Sequence, residues 1–341
     1  MTIKKLRSST LGAGAGWVML GLSAVSVQAA DNSLSAVRET VRQSIRSSDI
    51  GAGYAAIINF ASEPAISSST LWIDHGLSNS DELSVTKFPL RYEFDLDGRD
   101  WKPFVQATLA KLNLEQTYPV FEGEKIKPEW ESYSATLGGG VRIPLNEEWS
   151  ILPAADFGWA SISNDVKYTG ERGNNLLRPV LDEILFDWSA DAWLANGHLA
   201  LQYQGTIRKL EIDAKLSGTL SHIESYRTTT DLQELDEDIG TLSLKIDGTY
   251  PLNASLAGHP LSVIGHLGGS TLVGPNRDAL GFTYVYEAGL SLQADISRYG
   301  LPVSKLKSGR DGALGRQCRG LVDAVRVQVL RRLRKVPGSM P

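Results

Sequence analysis

The chain has 341 residues, a formal net charge of −5 and one cysteine, Cys318. A single cysteine excludes a fold held together by disulfide bonds, and the absence of a later run of 18 apolar residues excludes a helical membrane span. The charge is uneven, because residues 302–341 contain 10 Lys and Arg but only 2 Asp and Glu, which leaves residues 1–301 with a net charge of −13. Such an asymmetry is typical of a functional tail or of a foreign segment.

The first 29 residues have the pattern of a secretory signal peptide. Lys4 and Lys5 precede an apolar stretch, and Val27-Gln28-Ala29 fits a cleavage site of the small-residue type. An N-terminal anchor helix is the alternative, which the glycines and the short apolar core disfavour. We therefore expect residues 1–29 to be removed and the mature chain to leave the cytoplasm.

A short helix is predicted in residues 30–50. Leu34, Val37, Val41 and Ile45 recur at spacings of three and four, which places them on one helical face. The two stretches that follow, "GYAAIINFA" and "STLWID", fit either additional strands or a segment that plugs a pore.

Residues 51–301 show the period of long strands. In "GFTYVYEAGLSLQADI" apolar side chains fall on every second position, over a length that exceeds the usual soluble strand and fits ~9–11 residues crossing a bilayer. A soluble sandwich with one wet face is the alternative. The predicted strands lie near 86–96, 103–118, 131–145, 149–168, 179–194, 198–207, 210–226, 239–250, 261–272 and 280–295, with an eleventh beginning near residue 300.

Charged residues of both signs lie on the polar face of these strands. Exposed to lipid they would cost ~2–4 kcal/mol each at mid-depth, whereas in a polar lumen they can pair. We therefore expect an all-β fold, an antiparallel transmembrane up-and-down β-barrel of about 12 strands with a short N-terminal helix. The candidate lumen-facing residues are Arg91, Glu93, Asp95, Arg142, Glu211, Asp213, Lys215, Lys245, Asp247 and Glu287.

This organisation resembles the solitary outer-membrane autotransporter-like β-barrels over about residues 31–301. Local sequence patterns such as "GVRIPLNEEWSILPAADFGWA" add to the resemblance. The resemblance implies an outer-membrane location, no long passenger domain, and a helix that occupies the pore, for which residues 34–47 are the candidate. It also implies contact with outer-membrane lipid, lipopolysaccharide and the barrel-assembly machinery. We expect a monomer that binds no nucleic acid.

The tail, residues 302–341, departs from this family, whose last strand ends in Phe. One allowed set of codons for residues 313–330, read one nucleotide later, encodes RWGDNVEGWSMLFGYKF, which has that pattern. We therefore interpret the tail as out-of-frame sequence and expect the closing strand to be missing and assembly to be poor. A basic amphipathic tail that binds a membrane surface and a nucleic-acid patch are the alternatives.

The sequence predicts no catalytic, cofactor or metal site. His266 lies near Ser270, and His222 near Ser221 and Glu224, without a spacing that fixes a base beside a nucleophile. The acidic segment 231–238 lacks the spacing of a calcium loop. Two functions therefore compete, a structural barrel that displays surface loops and a narrow pore for ions or small solutes. A lipid-modifying enzyme is a distant third.

Overall fold

The computed structural model describes residues 34–46, 50–63, 69–74, 80–256, 259–274, 284–295, 305–314 and 318–328. Its helices are α1 (Leu34–Arg46), α2 (Ile50–Ser62) and the short α3 (Arg178–Leu181). Its strands are β1 (Ser69–Asp74), β2 (Ser80–Glu93), β3 (Lys102–Glu115), β4 (Tyr118–Phe121), β5 (Glu124–Pro144), β6 (Trp149–Tyr168), β7 (Trp188–Ile207), β8 (Leu210–Thr228), β9 (Asp236–Leu256), β10 (His259–Val273), β11 (Tyr284–Asp295), β12 (Lys305–Leu314) and β13 (Cys318–Gln328). The predicted signal peptide lies outside the described residues.

The strands of the described residues form one 13-stranded sheet in which the paired neighbours are antiparallel. Consecutive strands are neighbours from β5 to β13, and β13 also pairs with β1. Since β3 pairs with β5, the sheet closes on itself, and the four-residue β4 is a side branch on β5. The result is an up-and-down β-barrel, in which closure leaves no long unpaired strand edge.

The two faces of the barrel wall differ in polarity, as the alternating sequence predicts. Apolar side chains point outwards and are exposed, for example Leu137 at 68% and Leu220 at 72%. Small and polar side chains point inwards and are buried, for example Ser132 and Thr241. An exposed apolar surface of this extent needs a lipid solvent, so the wall is built to stand in a membrane.

Aromatic side chains flank the apolar outer surface. Near the short turn that joins β5 to β6, the rings of Trp149 and Tyr203 pack with centroids 5.1 Å apart. Further along the strands, Trp193 stacks between Phe157 and Tyr226. Aromatic girdles at both interfaces are typical of outer-membrane barrels.

The structure corrects one predicted connection. A turn was expected at residues 195–197, between strands at 179–194 and 198–207, but β7 runs through this point as one strand. Asn196 and Gly197 continue the antiparallel pairing with β6 and β8, and the amide of Asn196 donates a hydrogen bond to Asp156. Gly and Asn are turn-forming residues, but cross-strand partners on both sides decide the local structure here.

The tail also differs from expectation. The segment that was expected to lack a closing strand contains β12 and β13, and β13 occupies the closing position beside β1. Backbone pairing depends little on side-chain identity, so a strand of different composition can take this position. Whether residues 302–341 are out of frame stays a prediction, and so does the count of about 12 spanning strands, which depends on this segment.

The N-terminal region forms two helices rather than one. The predicted apolar stripe forms α1, whose Val41 and Ile45 are buried. The stretch "GYAAIINFA" lies in α2, and "STLWID" forms β1. Among the described residues, no helix combines the length and the apolar character needed to cross a membrane.

Candidate functional site in the barrel lumen

The lumen of the barrel is occupied by α2, which we call the plug helix. Its main contacts are with β2, β3, β5, β6 and β9, on the inner side of the wall. Ala55, Ala56, Ile58 and Ala61 have no exposed surface, and the amide of Asn59 donates a 2.9 Å hydrogen bond to the hydroxyl of Thr241 on β9. A helix that is apolar on all sides must be enclosed, which explains why this sequence enters the lumen. Helix α1 was the plug candidate that the family resemblance implied, but it covers the long-loop end of the barrel instead.

A buried lysine holds the C-terminal turn of the plug helix. The Nζ atom of Lys87 on β2 donates hydrogen bonds to the carbonyl oxygens of Phe60 at 2.6 Å and Glu63 at 2.7 Å. The last carbonyl groups of a helix have no partner within the helix, and a cation suits this negative end. Glu63 and Glu287 supply negative charge near Lys87.

Three aromatic rings pack around the first half of the plug helix. The ring centroid of Tyr54 lies 5.4 Å from that of Trp130 on β5 and 4.5 Å from that of Trp188 on β7. The two indole N–H groups donate hydrogen bonds to Gln116 and to the carbonyl of Leu185. This aromatic cluster fixes the plug helix at the end of the barrel that carries the long loops.

Charged side chains gather in the lumen near the short turns, beyond the plug helix. Arg91 and Arg142 both contact Oε1 of Glu93, at 2.9 Å and 3.1 Å. The Arg91 guanidinium also lies 3.5 Å from the centroid of the Phe104 ring. Asp213 accepts hydrogen bonds from two glutamines, and Lys215 lies within electrostatic reach of Arg91, Arg142 and Asp213. We call Arg91, Glu93, Arg142, Asp213 and Lys215 the charge cluster.

The other candidate lumen residues fall in different places. Asp95 follows β2 near the short turn, where it pairs with Lys102 at 2.6 Å, and Glu211 is exposed at the start of β8. Lys245, Asp247 and Glu287 alternate with outward-facing residues such as Leu244 and Tyr286 and so share the inner face of their strands. Their assignment to a solute path stays a prediction.

Two histidines in the lumen each join a carboxylate to a hydroxyl group. The Nε2 atom of His198 lies 2.7 Å from Asp156 and its Nδ1 atom lies 2.9 Å from Thr219. His266 contacts Asp247 at 2.7 Å and Ser291 at 2.6 Å. In the sequence, Ser270 is the serine near His266. Ser291 is distant along the chain and comes close to His266 only through the register of β10 and β11.

The long-loop end is covered by α1. Arg38 donates hydrogen bonds to the carbonyl oxygens of Pro179 and Asp182, at 2.5 Å and 3.2 Å, and Arg46 pairs with Asp231 at 2.7 Å. Tyr168, at the loop end of the 20-residue β6, donates to the Asp182 carboxylate at 2.7 Å. Burial and this hydrogen bond raise the pKa of Tyr168. The N-terminal helix is thereby tied to two long loops.

The described residues contain no group of three or more His, Cys, Asp or Glu side chains that could hold a metal ion. His222, Asp236 and Asp238 are adjacent on β8 and β9, with Nδ1 of His222 3.0 Å from Asp238. These three side chains are exposed, and we interpret them as solvated surface charges.

A closed antiparallel barrel with an apolar outer surface, aromatic girdles and a lumen filled by an N-terminal helix defines an outer-membrane β-barrel protein. Residues 63–304 match the model of the solitary outer-membrane autotransporter β-barrel domain, which covers most of the chain. The chain therefore belongs to this family. No curated protein matches it.

Several solved autotransporter barrels match this chain at low sequence identity. The translocator domain of NalP from Neisseria meningitidis is 9% identical, with a TM-score of 0.46 over 76% of this chain and 83% of that chain. The transport unit of AIDA-I from Escherichia coli is 9% identical, with a TM-score of 0.47 over 80% and 95%. The β-domain of BrkA from Bordetella is 12% identical, with a TM-score of 0.42 over 75% and 95%. The family assignment rests on the family match.

Proposed function

We propose that this protein is a passenger-free outer-membrane barrel that presents its long loops at the cell surface and keeps its lumen closed with the plug helix. The observation that carries the proposal is the burial of α2 inside the wall, where residues 54–62 are buried and five of them have zero exposure. A lumen filled in this way blocks solute flow, and the exposed loops remain as the surface through which the protein acts.

The loop that contains Gly173–Leu177 and α3, and the segment between β8 and β9, are the surfaces proposed for display. Both contact α1, and Arg38 bonds to the backbone of the first. Because α1 connects them, the two loops form one ordered surface instead of two independent ones. We propose outer-membrane lipid and lipopolysaccharide as the surroundings, assembly by the general barrel machinery, and a monomeric state.

A disulfide between α2 and the wall tests whether the lumen is closed. In a Cys318→Ser background, Asn59→Cys with Thr241→Cys replaces two side chains that are in direct contact at 2.9 Å. We expect this pair to oxidise in the outer membrane. The control pair, Asn59→Cys with Leu242→Cys, moves the second thiol one residue along β9 to the outer face, and we expect it to stay reduced.

Planar bilayer recordings then separate the two candidate functions. The proposal expects no steady conductance from the wild-type protein, with or without the disulfide. A narrow pore is the second candidate, which the charge cluster favours because its ionised groups line the lumen near the short turns. If the wild-type protein conducts and the disulfide abolishes this conductance, the closed-barrel proposal is wrong and the gated pore takes its place. Glutamine at Glu93 and Asp213 should then alter its ion selectivity.

A further inference from the structure

A carboxylate, an imidazole and a hydroxyl group form a chain across three neighbouring strands of the lumen wall. Asp247 on β9 lies 2.7 Å from Nδ1 of His266 on β10, and Nε2 of His266 lies 2.6 Å from Oγ of Ser291 on β11. We propose that these three residues form a hydrolytic site for small, water-soluble carboxylic esters. This activity goes beyond the proposed display function and departs from the expectation that the chain is not an enzyme.

The register of the sheet brings the three residues together. Asp247 is the direct partner of His266, and Gly289 is the partner of His266 on the other side. Ser291 lies two residues beyond Gly289 and so on the same face, within reach of an imidazole on the neighbouring strand. All three side chains therefore face the lumen and not the lipid.

The hydrogen bonds are compatible with the protonation pattern that a nucleophile needs. A carboxylate group without its proton only accepts, so it pairs with the tautomer of His266 whose Nδ1 carries the proton. In that neutral tautomer, Nε2 has a lone pair and can accept the hydrogen bond of the Ser291 hydroxyl. A base hydrogen-bonded to the nucleophile, and oriented by a third group, is the arrangement that activates a serine.

The wall beside His266 carries two glycines and a lysine. Gly268 follows His266 on the same face, and a Cβ atom placed there would lie 3.6 Å from the side chain of Glu287, which is ordinary van der Waals contact. Gly289 also lacks a side chain. Lys245, the register partner of Gly268, places a cation on this face, where its charge can stabilise an oxyanion.

The proposed reaction proceeds in two balanced steps. Oγ of Ser291 forms a bond to the ester carbonyl carbon, and its proton passes to Nε2 of His266. The bond to the alkoxy group then breaks, and the departing alcohol takes that proton. Water attacks the acyl-serine through the same base, which releases the carboxylic acid and restores the free hydroxyl.

The second histidine provides an internal control. His198 also joins a carboxylate to a hydroxyl, but Asp156 accepts further hydrogen bonds from Asn196 and Gln106. Its hydroxyl partner, Thr219, is a secondary alcohol and is more hindered than the primary hydroxyl group of a serine. We assign this second network to the stability of the wall, so that its hydroxyl should be unreactive.

Diisopropyl fluorophosphate tests the site on the purified, folded, full-length protein in detergent. Oγ of Ser291 would form the bond to phosphorus, the P–F bond would break, and fluoride would leave with the proton that His266 took. We expect one adduct, located on Ser291 by peptide mapping, and none in Ser291→Ala. Labelling should slow by at least about 100-fold in His266→Gln, because a positioned base contributes ~10²–10⁴, and it should also slow in Asp247→Asn.

The control variants Thr219→Ala and Ser270→Ala should label at the wild-type rate. The β-sheet signal in circular dichroism, measured in detergent without SDS, establishes that each variant is folded. Hydrolysis of p-nitrophenyl acetate by the wild-type protein, lost in Ser291→Ala, provides a second readout. The proposal is overturned if the folded wild-type protein gives no adduct on Ser291. It is equally overturned if the labelling rate is the same in His266→Gln and Asp247→Asn as in the wild type.

Discussion

The Nζ atom of Lys87 lies 2.6 Å from the carbonyl oxygen of Phe60 and ties the barrel wall to the end of the plug helix. The same nitrogen also bonds to the carbonyl of Glu63, so one side chain satisfies two backbone groups at a helix terminus. A lysine buried this deeply requires such partners, because burying an unpaired ammonium is strongly unfavourable. The position of the plug therefore depends on a residue of the wall.

Replacement of Lys87 by Met should loosen the plug helix. The apolar stem is kept, but two buried carbonyl groups lose their donor, at a cost of roughly 1–3 kcal/mol each. We expect transient conductance in planar bilayers where the wild-type protein is silent. Lys111→Met is the matched control, because this lysine is exposed on β3 and pairs with Glu131 outside the lumen. Silent recordings from folded Lys87→Met would contradict the anchoring role.

Loss of the Tyr54 ring should lower the stability of the barrel. Tyr54 packs between Trp130 and Trp188, and removal of a buried aromatic ring costs ~3–5 kcal/mol. We expect Tyr54→Ala to lower the unfolding temperature measured by circular dichroism in detergent and to change tryptophan fluorescence.

Tyr54→Phe separates packing from polarity, because it keeps the ring and loses only the hydroxyl group. We expect its unfolding temperature to stay close to that of the wild type. If Tyr54→Ala and Phe157→Ala, whose ring faces outwards, have equal effects, the plug helix makes no special contribution to stability.

Much of the wall could be predicted from the sequence because side-chain polarity follows the period of a strand. Leu290 and Leu292 alternate with Ser291 and Gln293, and the structure confirms an antiparallel barrel with this pattern. The plug helix could not be predicted with the same certainty. Its sequence is apolar on every side, and a short apolar run fits a buried strand as well as a buried helix.

The hydrogen bonds between lumen side chains could not be predicted from the sequence either. His266 and Ser291 are 25 residues apart, and only the register between β10 and β11 brings their side chains to 2.6 Å. A shift by one residue would turn one of them to the lipid. The turn expected at Asn196 was wrong for a related reason, since local turn preference was overruled by pairing with β6 and β8.

A charge on the outer surface should be costly in proportion to its depth. Leu199 lies on β7 between Trp193 and Tyr203, which belong to the two aromatic groups, and is 55% exposed. Arginine there should destabilise the barrel by ~2–4 kcal/mol, whereas Leu256→Arg, at the end of β9, should cost ~0–1 kcal/mol. Urea unfolding in lipid vesicles measures both values. Equal costs would argue against a bilayer centred between these aromatic groups.

The last prediction concerns the reading frame of residues 302–341. We expect resequencing across codons 300–335 to recover a frame whose final strand ends in Phe, because the shifted codons allow RWGDNVEGWSMLFGYKF. A strand of that kind alternates apolar and polar residues, whereas β13 places Arg319, Asp323 and Arg326 in the closing position beside β1 or β12. Because these charges fall at both odd and even positions, a strand cannot turn all of them to the lumen, and a charge that faces lipid destabilises the barrel. A chain with the present tail should therefore unfold in SDS at room temperature, and a version with the restored strand should resist it. If the present frame is found and the barrel resists SDS, the basic segment is a genuine part of the wall.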